Sequence, residues 1–298
     1  MQPTFLFIGP DKTGSTWLHE MLRQHPQCYV PAIKDIYFFD RHYGRGMDWY
    51  LGFFREAPAD ARAVGELSHD YFFSQQAAER IAADLPGVRL LTFLRDPADR
   101  TFSQYLYMIR SGRTRVGFEE ALEEYPELTG NSLYYKHLSV YLELFERDRL
   151  GLFLFDDLVA DSRAFAADVF VFLGLDASVE IEYERKVLPA SRPRSFLAAR
   201  LAKLGANAAR RLGLPGLVGT VKRSAATHWL YSPFEEADRP KMRPETRSRL
   251  LRIFRPDVER LEEALGRDLG SWLAVERTTA PSESRAKTRS VEAREKAG

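Results

Sequence analysis

Thr4-Phe5-Leu6-Phe7-Ile8-Gly9-Pro10-Asp11-Lys12-Thr13-Gly14-Ser15-Thr16-Trp17-Leu18 is the stretch on which the fold turns. Thr4 to Ile8 is a short β-prone run, and Gly9 to Ser15 reads as a turn. From Thr16 onward Trp17, Leu18, Met21 and Leu22 fall at helical spacing, before His25-Pro26 closes the segment. Strand, glycine-containing loop and helix in that order build an anion site. The helix start presents backbone N–H groups and the positive end of its dipole, and glycine lets the backbone approach the oxygens. Gly9 and Gly14 have the GxxxxG spacing of an ATP-binding loop. Ser15-Thr16 then stands where that loop carries Lys-Ser/Thr, and the lysine lies inside the turn as Lys12. The layout suits a phosphate-like anion and lacks the usual clamp on ATP.

Outward from this opening, Arg62 to Glu66, Val88 to Leu94 and Gly151 to Phe155 read as buried strands. Between them Ser74 to Leu85, Pro97 to Arg110, Asn131 to Arg147 and Ser162 to Leu173 carry helical patterns, and Pro244 to Leu265 reads as a long amphipathic helix. Alternation of this kind predicts an α/β fold, a P-loop-type central parallel sheet flanked by helices on both faces. One domain is expected over residues 1–280. A polar tail is expected to be disordered over 281–298, where Val291 is the one bulky apolar residue.

The 298 residues hold 43 Lys and Arg against 42 Asp and Glu, a net charge of +1, which excludes a polyanion-coating chain and predicts no nucleic-acid partner. Hydrophobic residues make up 45%, with 20 Phe, 13 Tyr and 4 Trp, enough to build a large core. Cys28 is the single cysteine, so no internal disulfide or CxxC metal site can form, and it reads as a small buried or half-buried apolar residue. The six histidines (19, 25, 42, 69, 137, 228) include no pair at i, i+3 or i, i+4, and no metal is called for. No stretch approaches a transmembrane length and none resembles a signal peptide, so a cytoplasmic protein is expected.

Two further features concern anions. Arg95-Asp96-Pro97 follows the apolar strand ending at Leu94, with Ser103 eight residues after Arg95. An arginine at the C-terminal end of a strand sits where open α/β sheets bind ligands, and a guanidinium with a hydroxyl can hold a phosphate. Asp96 and Pro97 form a helix start at the same time. The second feature is a run from Arg192 to Arg223 with eight basic residues and no acidic one, in which Leu197, Leu201, Leu204 and Leu212 share roughly one helical face. It reads either as a solvated basic face or as a cover over an anionic ligand, with peripheral membrane contact through 197–223 as a further option.

Pro10 to Leu18 resembles the 5′-phosphosulfate loop of sulfotransferases, and Arg95 through Ser103 resembles their 3′-phosphate motif, about 80 residues further on. Lys34-Asp35-Ile36-Tyr37-Phe38-Phe39-Asp40, Gly46 to Tyr50 and Gly65 to Phe72 are similar to the heparan-sulfate and related carbohydrate branch. So is the ending with Arg243-Pro244-Glu245, Leu265 to Leu269 and Trp272. The resemblance covers roughly residues 4 to 273 and suggests a soluble, bacterial-type member. It implies 3′-phosphoadenosine 5′-phosphosulfate (PAPS) as donor and PAP as product. The implied acceptor is a hydroxyl or amine on a carbohydrate, glycolipid or small molecule.

In that reading Lys12 stabilises the leaving phosphate, with Thr13, Gly14, Ser15 and Thr16 around it. Trp17 belongs to the same loop, and core packing beneath it is favoured over base stacking. The resemblance puts the general base on Asp35, one methylene shorter than the usual Glu, with Glu66 and His69 as alternatives and Lys34 orienting the reacting groups. Where the branch often has a lysine after the strand glutamate, this chain has Leu67. Arg95 and Ser103 take the 3′-phosphate, and Arg192 and Arg194 fall where the family has a basic loop closing over it. A P-loop small-molecule kinase and a non-catalytic nucleotide- or glycan-binding module are the competing readings.

Overall fold

In the computed structural model the sequence-predicted units become a five-stranded parallel sheet. Residues 1–183, 191–193, 195–211, 231–234 and 240–275 are described. The strands are β1 (Phe5–Gly9), β2 (Cys28–Tyr29), β3 (Ala63–Leu67), β4 (Arg89–Leu94) and β5 (Leu150–Leu154), in the order β2-β3-β1-β4-β5. Helices α1 (Ser15–Gln24), α2 (Met47–Leu51), α3 (Gln75–Asp84), α4 (Pro97–Arg110), α5 (Phe118–Glu124) and α6 (Glu127–Gly130) occupy the first half. They are followed by α7 (Tyr134–Leu144), α8 (Phe155–Ala160), α9 (Ser162–Leu173), α10 (Phe196–Arg211) and α11 (Pro244–Leu265). A short antiparallel pair, β6 (Ser191–Pro193) and β7 (Tyr231–Pro233), stands apart from the sheet.

Period-two alternation in β1 divides the core. Leu6 and Ile8 enter one apolar layer with Ile81 of α3, Leu138 of α7 and Phe254 of α11. Phe5 and Phe7 enter the other with Leu18 and Leu22 of α1 and Phe165 and Val169 of α9. Both faces of β1 are therefore dry, as a parallel sheet requires, and each of these fully buried side chains contributes about 1.5–3 kcal/mol of transfer free energy. Central placement of β1 puts Gly9 between the ends of β3 and β4, with Phe7 opposite Leu67 and Gly9 opposite Thr92.

Two expected elements end elsewhere than the sequence suggests. The strand expected to reach Phe155 stops at Leu154, because Phe155 turns into α8 and its side chain stays apolar across the junction. The helix expected from Asn131 begins at Tyr134, since Ser132 directs its hydroxyl to Arg100 and Thr101 instead of continuing a helix. By contrast, α4 starts as read: the Asp96 carboxylate accepts from the N–H groups of Ala98 and Asp99, and Pro97 follows at the first position. Cys28 is half-buried and burial pushes its thiol up to about 12, so it is inert. Among the described residues no helix is long and apolar enough to cross a membrane. The tail at 281–298 lies outside the described residues.

Candidate active site

The loop after β1 is shaped by three residues with positive φ: Gly9 at 121°, Lys12 at 68° and Gly14 at 108°. Gly9 has a second reason to lack a side chain, since a Cβ there would come within 2.0 Å of the His69 carbonyl oxygen. Buried Thr13 donates its hydroxyl to the Pro10 carbonyl at 2.8 Å, closing the turn on itself. Gly14 is the N-cap of α1, and no side chain caps that helix, so the positive end of α1 faces the loop. Beneath it, Arg100 is fully buried and pairs with Asp11, while its other nitrogen donates to Ser132 Oγ at 3.1 Å. Burial would raise the Asp11 carboxyl, but the Arg100, His69 and Lys12 charges hold it below the usual range.

Lys12 and Arg95 meet here. Arg95 Nη1 donates to the Lys12 carbonyl at 3.4 Å, and its guanidinium lies 4.9 Å from the Phe155 ring centroid. The Lys12 ammonium stands 5.0 Å from the centre of the Tyr107 ring. Burial, with Arg95 and Arg110 nearby, draws Lys12 below the ordinary lysine range against the opposing pull of Asp11 and Tyr107. Half-buried Ser103 lies one helical turn before Tyr107 on α4, so its spacing places it on the same face. Ser15 and Thr16 open α1, and Lys34 Nζ donates to Thr16 Oγ1 at 2.9 Å. Trp17 packs edge-on against Phe165 at 5.7 Å and donates to the Tyr183 carbonyl at 3.5 Å, a core role under the loop.

Across β1, the end of β3 carries a second cluster. His69 Nδ1 lies 2.8 Å from Asp35 Oδ1, and His69 Nε2 is 3.1 Å from the Tyr37 hydroxyl and 3.3 Å from Asp70. Burial would lower the imidazole, yet Asp35, Asp70 and Asp11 raise it to about 9. It is therefore an imidazolium at neutral pH, and Asp35 is its carboxylate partner. Asp35 itself has φ 64°, and its N–H donates to the Leu67 carbonyl at 2.8 Å.

Glu66 is placed differently. It is 1% exposed and accepts from Ser68 Oγ at 2.6 Å and from the Tyr71 hydroxyl at 2.7 Å. Ser68 Oγ in turn accepts from the Tyr37 N–H, and the Tyr71 hydroxyl accepts from the Phe38 N–H. Burial lifts Glu66 to about 7. These bonds tie the segment carrying Asp35 to β3.

Some of the machinery escaped the sequence reading. Arg100, Tyr107 and Arg247 were not singled out, although Arg247 clamps the start of α4 through Asp96 at 2.6 Å and Asp99 at 3.1 Å. The available signal for Arg100 was its place in the first turns of a helix whose neighbours Pro97, Ala98 and Thr101 are buried: a charge among them needs a buried partner. The backbone of Arg192 lies in β6, opposite Ser232, whereas its side chain and all of Arg194 lie outside the described residues.

A parallel sheet with a cationic loop at the end of its central strand defines an α/β protein, and comparison with known proteins makes it specific. The sulfotransferase domain family matches residues 2–199, and the chain belongs to that family. Human bifunctional heparan sulfate N-deacetylase/N-sulfotransferase 3 is 39% identical over 111 residues, 35% of this chain and 13% of the relative. Membrane-associated sulfotransferase kil1 of Dictyostelium discoideum is 33% identical over 110 residues, 36% of this chain and 23% of the relative. The matched stretch thus spans less than a quarter of either relative. A sulfotransferase structure from Alicyclobacillus acidocaldarius superimposes with a TM-score of 0.68, covering 92% of this chain and 100% of that one at 24% identity, a likeness of fold.

Proposed function

We propose that the chain is a PAPS-dependent sulfotransferase whose acceptor is a hydroxyl or amine of a carbohydrate, glycolipid or small molecule. The observation that supports it best is the convergence of Lys12 and Arg95 at the open N-terminus of α1, with the Asp35–His69 pair across β1. The residues suit the donor: a glycine cradle and helix dipole for the 5′ end, and a guanidinium with the Ser103 hydroxyl for the 3′-phosphate. PAPS, when bound, supplies the sulfuryl group and leaves as PAP.

Lys12 and the N–H groups of the Gly14–Thr16 turn neutralise charge that grows on the leaving phosphate oxygen. Lys34, held at Thr16, stands beside the same helix start and orients the sulfuryl oxygens. Asp35 takes the proton from the acceptor as its oxygen or nitrogen forms the new bond to sulfur and the sulfur–phosphate oxygen bond breaks. His69 acts through Asp35: its N–H fixes the carboxylate in place beside the acceptor. Glu66 positions the Asp35 segment from below through Ser68 and Tyr71. A carbohydrate acceptor is favoured by the similarity to heparan sulfate N-deacetylase/N-sulfotransferase 3.

Thermal stabilisation by PAP compared with ATP tests the donor assignment, since a ligand selective for the folded state raises the melting temperature. A shift with PAP, lost in Arg95→Ala, supports it. A shift only with ATP and magnesium reassigns the site to a kinase, and PAP binding without transfer to any acceptor leaves a binding module.

A further inference from the structure

The described part of the basic run, Phe196–Arg211, forms α10, and its leucines at 197, 201 and 204 do not join the core. Leu197, Leu201 and Leu204 are 67%, 58% and 55% exposed, whereas Ala199 on the opposite side is fully buried. Spacings of four and three residues align the leucines in one stripe. The helix is seated firmly. Gly112, at φ 69°, lets α10 approach so closely that a Cβ there would meet the Phe196 carbonyl oxygen at 2.8 Å and the Arg200 nitrogen at 3.0 Å. Lys203 Nζ donates to the Tyr107 hydroxyl at 2.8 Å, pinning the second turn to α4. A stripe of three large apolar side chains on an anchored helix is an interaction surface.

Its surroundings say what it meets. A cleft of about 400 Å³ opens beside the first turn of α10, lined by Arg113, Arg115 and Arg200 together with Phe196 and Leu197. Arg115 stacks 4.3 Å from the Phe196 ring centroid, and Arg113 is paired with Glu127. The described helix, Phe196–Arg211, carries no acidic residue. A second copy of the chain would set exposed Arg200 against its own kind, so self-association through this stripe is opposed by like charge. A polyanionic glycan would answer the arginines and leave the leucines wet. A bilayer bearing anionic headgroups satisfies both, with the leucines among the acyl chains and the arginines at the phosphates.

We infer that α10 and the adjoining arginine cleft form a docking surface for an anionic lipid bilayer. Docking does not depend on the donor site, so an inactive chain would still bind vesicles, and the failure of one reading leaves the other standing. The test is co-sedimentation of the full chain with phosphatidylcholine vesicles, with and without phosphatidylglycerol. Binding is expected only to the anionic vesicles. Leu201→Glu with Leu204→Glu, and separately Arg115→Glu with Arg200→Glu, should each weaken it by roughly tenfold or more. An unchanged melting temperature and cooperative unfolding serve as the control that each variant is folded. No sedimentation of the wild type overturns the inference. So does binding that ignores the leucine substitutions, or a concentration-dependent dimer abolished by Leu201→Glu.

Discussion

Asp35 Oδ1 and His69 Nδ1 lie 2.8 Å apart at the end of β3, and the carboxylate holds the imidazole in its charged form. The imidazole is raised to about 9, burial opposing and Asp35, Asp70 and Asp11 prevailing. Its folded value is above the ordinary 6.5, so its contribution to stability is complete below about pH 6.5 and is lost as pH rises through about 9. Wild type should therefore lose on the order of 2 kcal/mol between those limits relative to His69→Gln. Urea unfolding of both chains at pH 6 and pH 10 measures the difference, and parallel curves would refute the pairing.

Asp35→Asn keeps the size of the side chain and removes its basicity. Turnover should fall by about 100-fold or more, the usual worth of a positioned base, while the thermal shift with PAP stays as in wild type. Full activity in Asp35→Asn would move the proton acceptor elsewhere.

Lys12→Ala should leave the fold intact, because the loop is held by Thr13, Gly14 and the Asp11–Arg100 pair and not by the ammonium. Transfer from PAPS should drop by about 100- to 1000-fold, the scale for losing one preorganised charge at a leaving group. Unchanged turnover would sink the assignment of this loop.

Gly9→Ala tests how tightly the two halves of the site abut. A Cβ at 2.0 Å from the His69 carbonyl oxygen, on a backbone at φ 121°, forces the loop or the end of β3 to shift. A loss of about 2 kcal/mol or more is expected by denaturant unfolding. A variant as stable as wild type would mean that these two segments can part without penalty.

Glu66→Gln addresses the buried carboxyl. Its folded value of about 7 is above the ordinary 4.5, so its ionisation costs stability as pH rises from 4.5 through 7. The glutamine chain should gain on wild type between pH 5 and pH 8, read from melting temperatures at each. A constant gap across that range would show that Glu66 does not titrate in the fold.

The parts of this molecule legible in the sequence are those with strong local signals. Pro97 and Asp96 mark the start of α4, Ser162 to Leu173 carries unbroken helical spacing, and Gly9 with Gly14 announces the loop. What stayed hidden depends on distant partners. β2 is two residues long and exists only because Cys28 and Tyr29 pair with Ala63 and Val64. Strand order is equally invisible, since any of the apolar runs could have been central. Asp35, Glu66 and His69 were indistinguishable as base candidates on composition. The choice among them rests on burial of Glu66 under Ser68 and Tyr71, and on the charge that surrounds His69.

β1 stands in the middle of the sheet, with Arg95 just past the end of its β4 neighbour and the Asp35–His69 pair just past the end of its β3 neighbour. Gly9 is the seam. Under the proposed assignment, a change of recipient can be made around Asp35 without disturbing Lys12 and Arg95 only where Lys34 keeps its bond to Thr16 and that one position stays bare.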